Sequence, residues 1–316
     1  MGICLPRNSI IYTNQLRFAR SLSGRQIGKR HRGRTCSPHP LISNLLPAKQ
    51  KHNLDFSETC FACALYTMSQ IKIDPGGAFS LGGENFVIEG DLPPEQRRPS
   101  NSNAFTILKN EPYLRVYENL ASNFSPRSIL ELGIFQGGSY VFLDKLFKPR
   151  RMSAVDIGPH VVAPLVQYLS RTENRFVHFA TSQRDRETLN QIVFNELANE
   201  LDFVVDDASH TYEDTKAFFE LLFPLLRPGG IYVIEDWSWA HQDNFQSPDA
   251  AFSNRYALSN LLFEQIMLLG STSLISEIRI WRFLYLIRKA KSAVCMTKSS
   301  SIFDQVLSRG RRLSLI

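Results

Sequence analysis

RSILELGIFQGGSYVFLDKLF (residues 127–147) reads as a buried strand, a glycine-rich turn and a helix in immediate succession. RSILEL is a short apolar run of the kind a strand covered on both faces needs. Gly133, Gly137 and Gly138 allow a tight turn and close backbone approach. SYVFLDKLF (139–147) then has helical composition, and a helix N-terminus at that point favours an anionic group.

The same alternation continues outward. MSAVDI (152–157), RFVHFA (175–180), LDFVVD (201–206) and GIYVIED (230–236) read as strands. VVAPLVQYLS (161–170), RETLNQIVFNEL (186–197) and TYEDTKAFFELLFPLL (211–226) read as the helices between them, with Pro164 in a first turn. RVYENLASNF (115–124) is a lead-in helix, another helix is expected at about 254–269, and ISEIRIW with RFLYLIRK closes the fold as two strands. The expected fold class is α/β: a doubly wound, Rossmann-like sheet with helices on both faces and a C-terminal antiparallel strand pair. The expected domains are a basic extension (1–67), a lead-in segment (68–104), the α/β domain (105–290) and a tail (291–316).

Ligands on such sheets bind beyond the carboxyl ends of the strands, so the residues just after each strand matter most. The first strand is followed by Glu131, Gly133, Gly137, Gly138 and Ser139, and the second by Asp156, 23 residues beyond Gly133. An acid there suits the two hydroxyls of a ribose, or caps the next helix. Ser182, Gln183 and Asp185 after the third strand either frame an adenine ring or lead into a helix cap. The fourth strand ends in DDASH (206–210) and the fifth in IEDW (234–237). Asp207, Glu235 and Asp236 would gather on neighbouring strands, where crowded carboxylates are unfavourable unless protonated or bound to a cation; oxygen ligands suit Mg²⁺. His210 is then placed to act as a general base at neutral pH. The other reading is that these acids cap helices and His210 is a solvated loop residue. The loop 237–252 carries Trp237, Trp239 and His241, rings that either line an acceptor pocket or pack on the core.

Charge is uneven along the chain. The net of +6 arises in residues 1–54, which hold ten Lys or Arg and no acid; residues 55–316 hold 26 basic and 30 acidic side chains. An acidic folded region argues against a nucleic-acid surface. The five cysteines are scattered, with a lone Cys60–Cys63 pair, and do not outline a disulfide framework. The extension reads as a disordered arm, a transit-like segment or an untranslated leader, with Met68 the expected start.

ILELGIFQGGS, VDIGP, TSQRD, DDASHTYED, LRPGG and IED, in this order over residues 105–290, resemble the class I S-adenosylmethionine-dependent methyltransferases. They are similar in particular to the macrolide-sugar O-methyltransferases and cephalosporin hydroxylase-type proteins. The resemblance implies S-adenosyl-L-methionine on Gly133, Gly137, Gly138 and Asp156, and the expected cofactor set adds Glu131, Ser139, Ser182, Gln183 and Asp206 from their places after the strands. It implies Mg²⁺ on Asp207, Glu235 and Asp236, with His210 as the base that deprotonates a small-molecule hydroxyl, such as that of a glycoside. Two other readings stay open: a cofactor-binding protein of this fold without chemistry, and a nucleic-acid methyltransferase using the basic arm. A cytoplasmic protein without a membrane span is expected, and oligomerisation is left open.

Overall fold

The computed structural model describes residues 70–90, 92–182, 184–292, 301–311 and 314–315. The basic arm, the Cys60–Cys63 pair, the Met68 start and Gln183 lie outside the described residues.

A seven-stranded sheet forms the centre. Its strands are β4 (Ser128–Leu132), β5 (Arg151–Val155), β6 (Arg175–His178), β7 (Phe203–Asp206), β8 (Ile231–Glu235), β9 (Ile275–Ile280) and β10 (Leu284–Lys289). Their order is β6-β5-β4-β7-β8-β10-β9. The first five are parallel, and β10 runs antiparallel to both β8 and β9. The expected doubly wound sheet with a terminal antiparallel pair is therefore present. The chain reverses its winding between β4 and β7, and that switch point is where such sheets open a ligand crevice.

Every residue of β4, β7 and β8 is buried. Side chains of a strand alternate between faces, so Ile129 packs with one core and Leu130 and Leu132 with the other. The first core is covered by α1 (Glu111–Ala121), α2 (Gly138–Phe147) and α3 (Ala163–Ser170). The second is covered by α4 (Arg186–Gln191), α5 (Tyr212–Leu222) and α6 (Ser259–Ser271). Each fully buried Leu, Val or Phe contributes about 1.5–3 kcal/mol relative to exposure. α4 continues into a π-helical turn, Ile192–Glu196, where an uninterrupted helix was expected.

A small sheet of β1 (Ala78–Leu81), β2 (Glu84–Ile88) and β3 (Phe105–Ile107) lies outside the expected pattern. Gly82 and Gly83, at φ of 57° and 85°, make the two-residue hairpin between β1 and β2. β3 then pairs parallel to β2. Phe79, Phe86 and Phe105 join the first core, where Phe79 and Phe86 meet Phe142 of α2 edge-on. A domain boundary at residue 105 would fall inside this sheet. In the tail, Ile302 is buried against the second core and Ser301 bonds Glu220. Among the described residues no helix is long and apolar enough to cross a membrane.

Candidate active site

Three acids lie at or next to the ends of the central strands, and strand alternation sends them in different directions. Glu131 and Glu235 project to the α1 face, the side of their alternate neighbours Ile129 and Val233. Asp206 projects to the opposite face, where the Tyr232 hydroxyl donates to it at 2.9 Å. It is 2% exposed; burial first, and then the neighbouring Asp207 charge, push its carboxyl up to about 7. Asp206 therefore sits in the second core rather than facing the crevice, contrary to the cofactor-facing place expected for it.

Lys109, two residues beyond β3, enters the acid cluster from the small sheet. Its Nζ lies 2.7 Å from Asp207 Oδ2 and 2.6 Å from Glu235 Oε2, and its side chain is 4% exposed. Tyr117 donates to the other oxygen of Glu235, and Tyr113, one helical turn earlier on α1, donates to Asp236. Burial opposes the ammonium charge, but Asp207, Glu235 and Glu131 outweigh it, so Lys109 holds its proton more firmly than an ordinary lysine. Lys109, Tyr113 and Tyr117 were not singled out in the sequence. Their signal is the run KNEPYLRVY, where two tyrosines fall at i and i+4 on the apolar face of a helix and need polar partners.

One ammonium does not balance this many carboxylates. Burial raises Glu235 above the usual carboxylate range although Lys109 draws it down. Burial likewise lifts Glu131 to about 8, against the pull of Lys109. Glu131 is fully buried with neither oxygen in a well-formed hydrogen bond, and only the nearby Ser139 hydroxyl draws its carboxyl down alongside Lys109. A buried, weakly satisfied carboxylate beside the switch point fits an incoming group that is cationic or rich in N–H donors.

Asp207, His210 and Asp236 each place a ligand atom within 4.8 Å of one another. The structure thus puts His210 where Glu235 was expected. Glu235 and Asp236 are adjacent in sequence, but the end of β8 turns them different ways, and Glu235 is consumed by Lys109 and Tyr117. His210 and Asp236 both adopt left-handed backbone, at φ of 53° and 55°. Such residues cost on the order of 1–3 kcal/mol each and persist where the surroundings hold them, often at functional sites. Two carboxylates suit Mg²⁺ or Mn²⁺ when water completes the shell, with the imidazole at its edge.

The glycine-rich loop is fastened from below. Asp156 Oδ2 accepts the N–H of Ile134 and Phe135 at 2.9 and 3.0 Å, and Oδ1 accepts that of Gly158 at 2.6 Å. α3 starts seven residues later with Val162 as its N-cap, so Asp156 caps no helix. A carboxylate has about four acceptor sites, which leaves one on Asp156 for a hydroxyl. Gly133 (φ 82°) lies so close to β7 that a Cβ would stand 2.4 Å from the Asp207 carbonyl oxygen; on Gly138 it would stand 2.0 Å from that of Thr106. These glycines make room for the protein itself, whereas the sequence suggested room for a ligand. Gly137 (φ 78°) is the N-cap of α2, and Ser139 is buried in its first turn. Phe135, Ile157 and Val161, which flank the loop and Asp156 in sequence, are more than half exposed despite being apolar. Ser182 lies on the surface, its hydroxyl accepting from Arg184 at 3.2 Å, and Asp185 caps α4, so the loop-and-cap role accounts for both.

Beyond His210 and Asp236 opens a pocket of about 280 Å³ with Trp239, Phe245, Phe252 and Tyr256 in its walls. Trp239 stacks on Phe245 (5.3 Å, 13°), and the His210 ring lies 4.4 Å from Trp239. Trp237 instead packs toward the second core and donates its indole N–H to the Trp281 carbonyl at 2.9 Å. His241 pairs with Ser259 at 2.8 Å.

Residues 130–237 match a family model described as a methyltransferase domain. A demethylmacrocin O-methyltransferase of Streptomyces fradiae is 50% identical over 44 residues, 14% of this chain and 11% of the relative. An 8-demethyl-8-alpha-L-rhamnosyl tetracenomycin-C 2'-O-methyltransferase of Streptomyces olivaceus is 28% identical over 144 residues, 42% of this chain and 35% of the relative. The chain thus spans no more than about a third of these relatives' length. The solved structure of MycE, a methyltransferase of mycinamycin biosynthesis in complex with Mg, SAH and mycinamycin VI, is 22% identical, with 59% of this chain and 51% of that one covered at a TM-score of 0.42. Residues 130–237 thus resemble a methyltransferase domain, on a sheet whose order and edge motifs are those expected of the class I fold.

Proposed function

We propose that this protein transfers a methyl group from S-adenosyl-L-methionine to a hydroxyl of a small-molecule acceptor of the glycoside type. The observation that carries the reading is the position of His210. It shares a 4.8 Å cluster with Asp207 and Asp236 while its ring borders the aromatic pocket. Chemistry and acceptor space therefore meet at one side chain.

The cofactor's place is the crevice between the loop 133–138 and Asp156. S-adenosyl-L-methionine supplies an electrophilic methyl group on a sulfonium. Glu131 offers a buried carboxylate toward its cationic end, and Asp156 offers its remaining acceptor site toward a ribose hydroxyl. Phe135 and Ile157 offer apolar surface for a purine. Asp207 and Asp236 suit a divalent cation, which typically takes one or two carboxylates and several waters and supplies Lewis acidity toward a hydroxyl. His210 takes the acceptor proton as the oxygen attacks in line. Trp239, Phe245 and Phe252 exclude water and seat the acceptor.

Calorimetric titration of the full chain with S-adenosyl-L-methionine, with and without Mg²⁺, followed by a glycoside screen, tests this. Saturable binding and methyl transfer support it. A folded chain that binds no cofactor overturns it, and cofactor binding with no transfer to any hydroxyl favours a binding role.

A further inference from the structure

We infer that Ser100 is a positioning residue for the cofactor: its hydroxyl and the Asp156 carboxylate together hold the turn 134–137 so that the Phe135 ring faces the crevice. The inference rests on the cofactor reading above. It places one determinant of cofactor affinity outside residues 130–237, in the segment that joins β2 to β3.

The turn is tight and strained. The Gly137 N–H donates to the Ile134 carbonyl at 2.7 Å, and Phe135 between them sits at φ 48°. A phenylalanine in left-handed backbone persists only where its surroundings fix it. Phe135 is 53% exposed, so burial in the core does not hold its ring in place. The backbone on either side must do so.

Two groups fix that backbone. Asp156 Oδ2 accepts the N–H of Ile134 and of Phe135. Ser100 takes the other end: its hydroxyl donates to the Gln136 carbonyl at 2.8 Å, and its N–H donates to Gln136 Oε1 at 3.3 Å. Phe135 is thus tied at its own N–H by one segment and at the next residue's carbonyl by another. Release of either tie lets the strained residue relax and carries the ring away.

Ser100 is itself well anchored. It is 8% exposed, and its Oγ accepts the Thr106 N–H at 2.9 Å. A hydroxyl has a single proton, and with Thr106 on one lone pair that proton is directed at Gln136. Thr106 Oγ1 donates to the Arg98 carbonyl at 2.7 Å, and Arg98 binds the buried Glu89 carboxylate through its backbone N–H and its guanidinium. Asn101 closes the turn before β3, its N–H donating to the Ala104 carbonyl and its side-chain oxygen accepting from Asn103 and Ala104. The Thr106 carbonyl abuts Gly138 at the start of α2, so the same segment touches both ends of the glycine-rich stretch.

The test is calorimetric titration of the full chain with S-adenosyl-L-methionine in wild type, Ser100→Ala, Ser100→Thr, Phe135→Ala and Ser100→Ala/Phe135→Ala. Ser100→Ala should bind the cofactor about tenfold more weakly, the effect of one lost hydrogen bond. Ser100→Thr keeps the hydroxyl and should stay within about threefold of wild type. Phe135→Ala should weaken binding by about tenfold, and the double variant should be no more than about twofold weaker still, because Ser100 acts through that ring. A hydroxyl that only stabilises the fold would lower the melting temperature of Ser100→Ala and leave cofactor affinity unchanged, which overturns the inference. Losses that multiply to about a hundredfold in the double variant overturn it too, since the two residues would then act independently. If Ser100→Ala does not fold, Gln136→Ala replaces it, because it removes only the bond from the Ser100 N–H. That variant should bind about threefold more weakly and add nothing to Phe135→Ala, and unchanged affinity would overturn the inference. A wild type that binds no cofactor overturns the cofactor reading and this inference with it, whereas normal wild-type binding with an unaffected Ser100→Ala overturns this inference alone.

Discussion

His210 Nε2 stands 3.9 Å from Asp207 Oδ1, three residues away in a turn that holds His210 in left-handed backbone. That distance exceeds a hydrogen bond, so Asp207 does not tie up the imidazole nitrogen. In the proposed mechanism His210 exchanges a proton with an acceptor in the pocket. His210→Ala should lower the transfer rate by about 10²–10⁴. Mn²⁺ affinity should stay within about threefold, since water can complete the shell of a hard cation. Single-turnover rates and metal titration check both arms. A parallel collapse of rate and metal affinity would make His210 a ligand instead of a base.

Asp156 predicts a different pattern. It ties three backbone N–H groups of the loops around the crevice, so its removal acts on both fold and cofactor. Asp156→Ala should cost about 2 kcal/mol of stability by orphaning those donors. It should also weaken S-adenosyl-L-methionine by roughly tenfold or more, one lost hydrogen bond to a hydroxyl being worth about 1.4 kcal/mol. Denaturant melts and cofactor titration separate the two effects.

Glu131 makes stability depend on pH. Its folded value of about 8 lies above the ordinary 4.5, so the ligand-free fold binds this proton more tightly than the unfolded chain does. The corresponding stability is full below about pH 4.5 and is lost as pH rises through 8. Asp206, lifted to about 7, acts in the same direction. The melting temperature of the ligand-free chain should therefore fall by roughly 5 °C or more between pH 5.5 and 8.5. Glu131→Gln should flatten that slope and weaken cofactor binding. An unchanged slope would mean that Glu131 ionises freely, hydrated within the crevice.

Much of this fold is legible in the chain because both signals are local. Apolar runs such as SILEL and IYVIE mark strands buried on both faces, and the residues after them fall on one edge by topology alone. The site was half legible for the same reason. Asp207, His210 and Asp236 follow their strands directly. The place of Glu235 depends on which way one strand end turns, and on a lysine 126 residues earlier. No spacing rule connects Lys109 to Glu235, because β1–β3 carry the lysine to the site through tertiary packing. Short strands such as AFSL and FTI are too brief for alternation to separate them from loop. The glycines illustrate a further limit. Their positions were plain, but only the structure shows that Gly133 meets the Asp207 carbonyl.

The two tryptophans of the loop after β8 should separate specificity from stability. Trp239 lines the pocket between His210 and Phe245, whereas Trp237 donates to the Trp281 carbonyl and packs against Tyr285. Trp239→Ala removes ring surface that borders the proposed acceptor space, so KM for a glycoside acceptor should rise roughly tenfold, at about 1–2 kcal/mol of lost contact. Cofactor affinity and melting temperature should hardly move. Trp237→Phe keeps the apolar ring and leaves a part-buried carbonyl without its donor, so it should lose about 1 kcal/mol of stability with KM unchanged. Steady-state kinetics and melts on the two variants read the contrast. If Trp239→Ala instead melts early and keeps its KM, the aromatic cluster belongs to the core and the acceptor enters elsewhere along the strand edge.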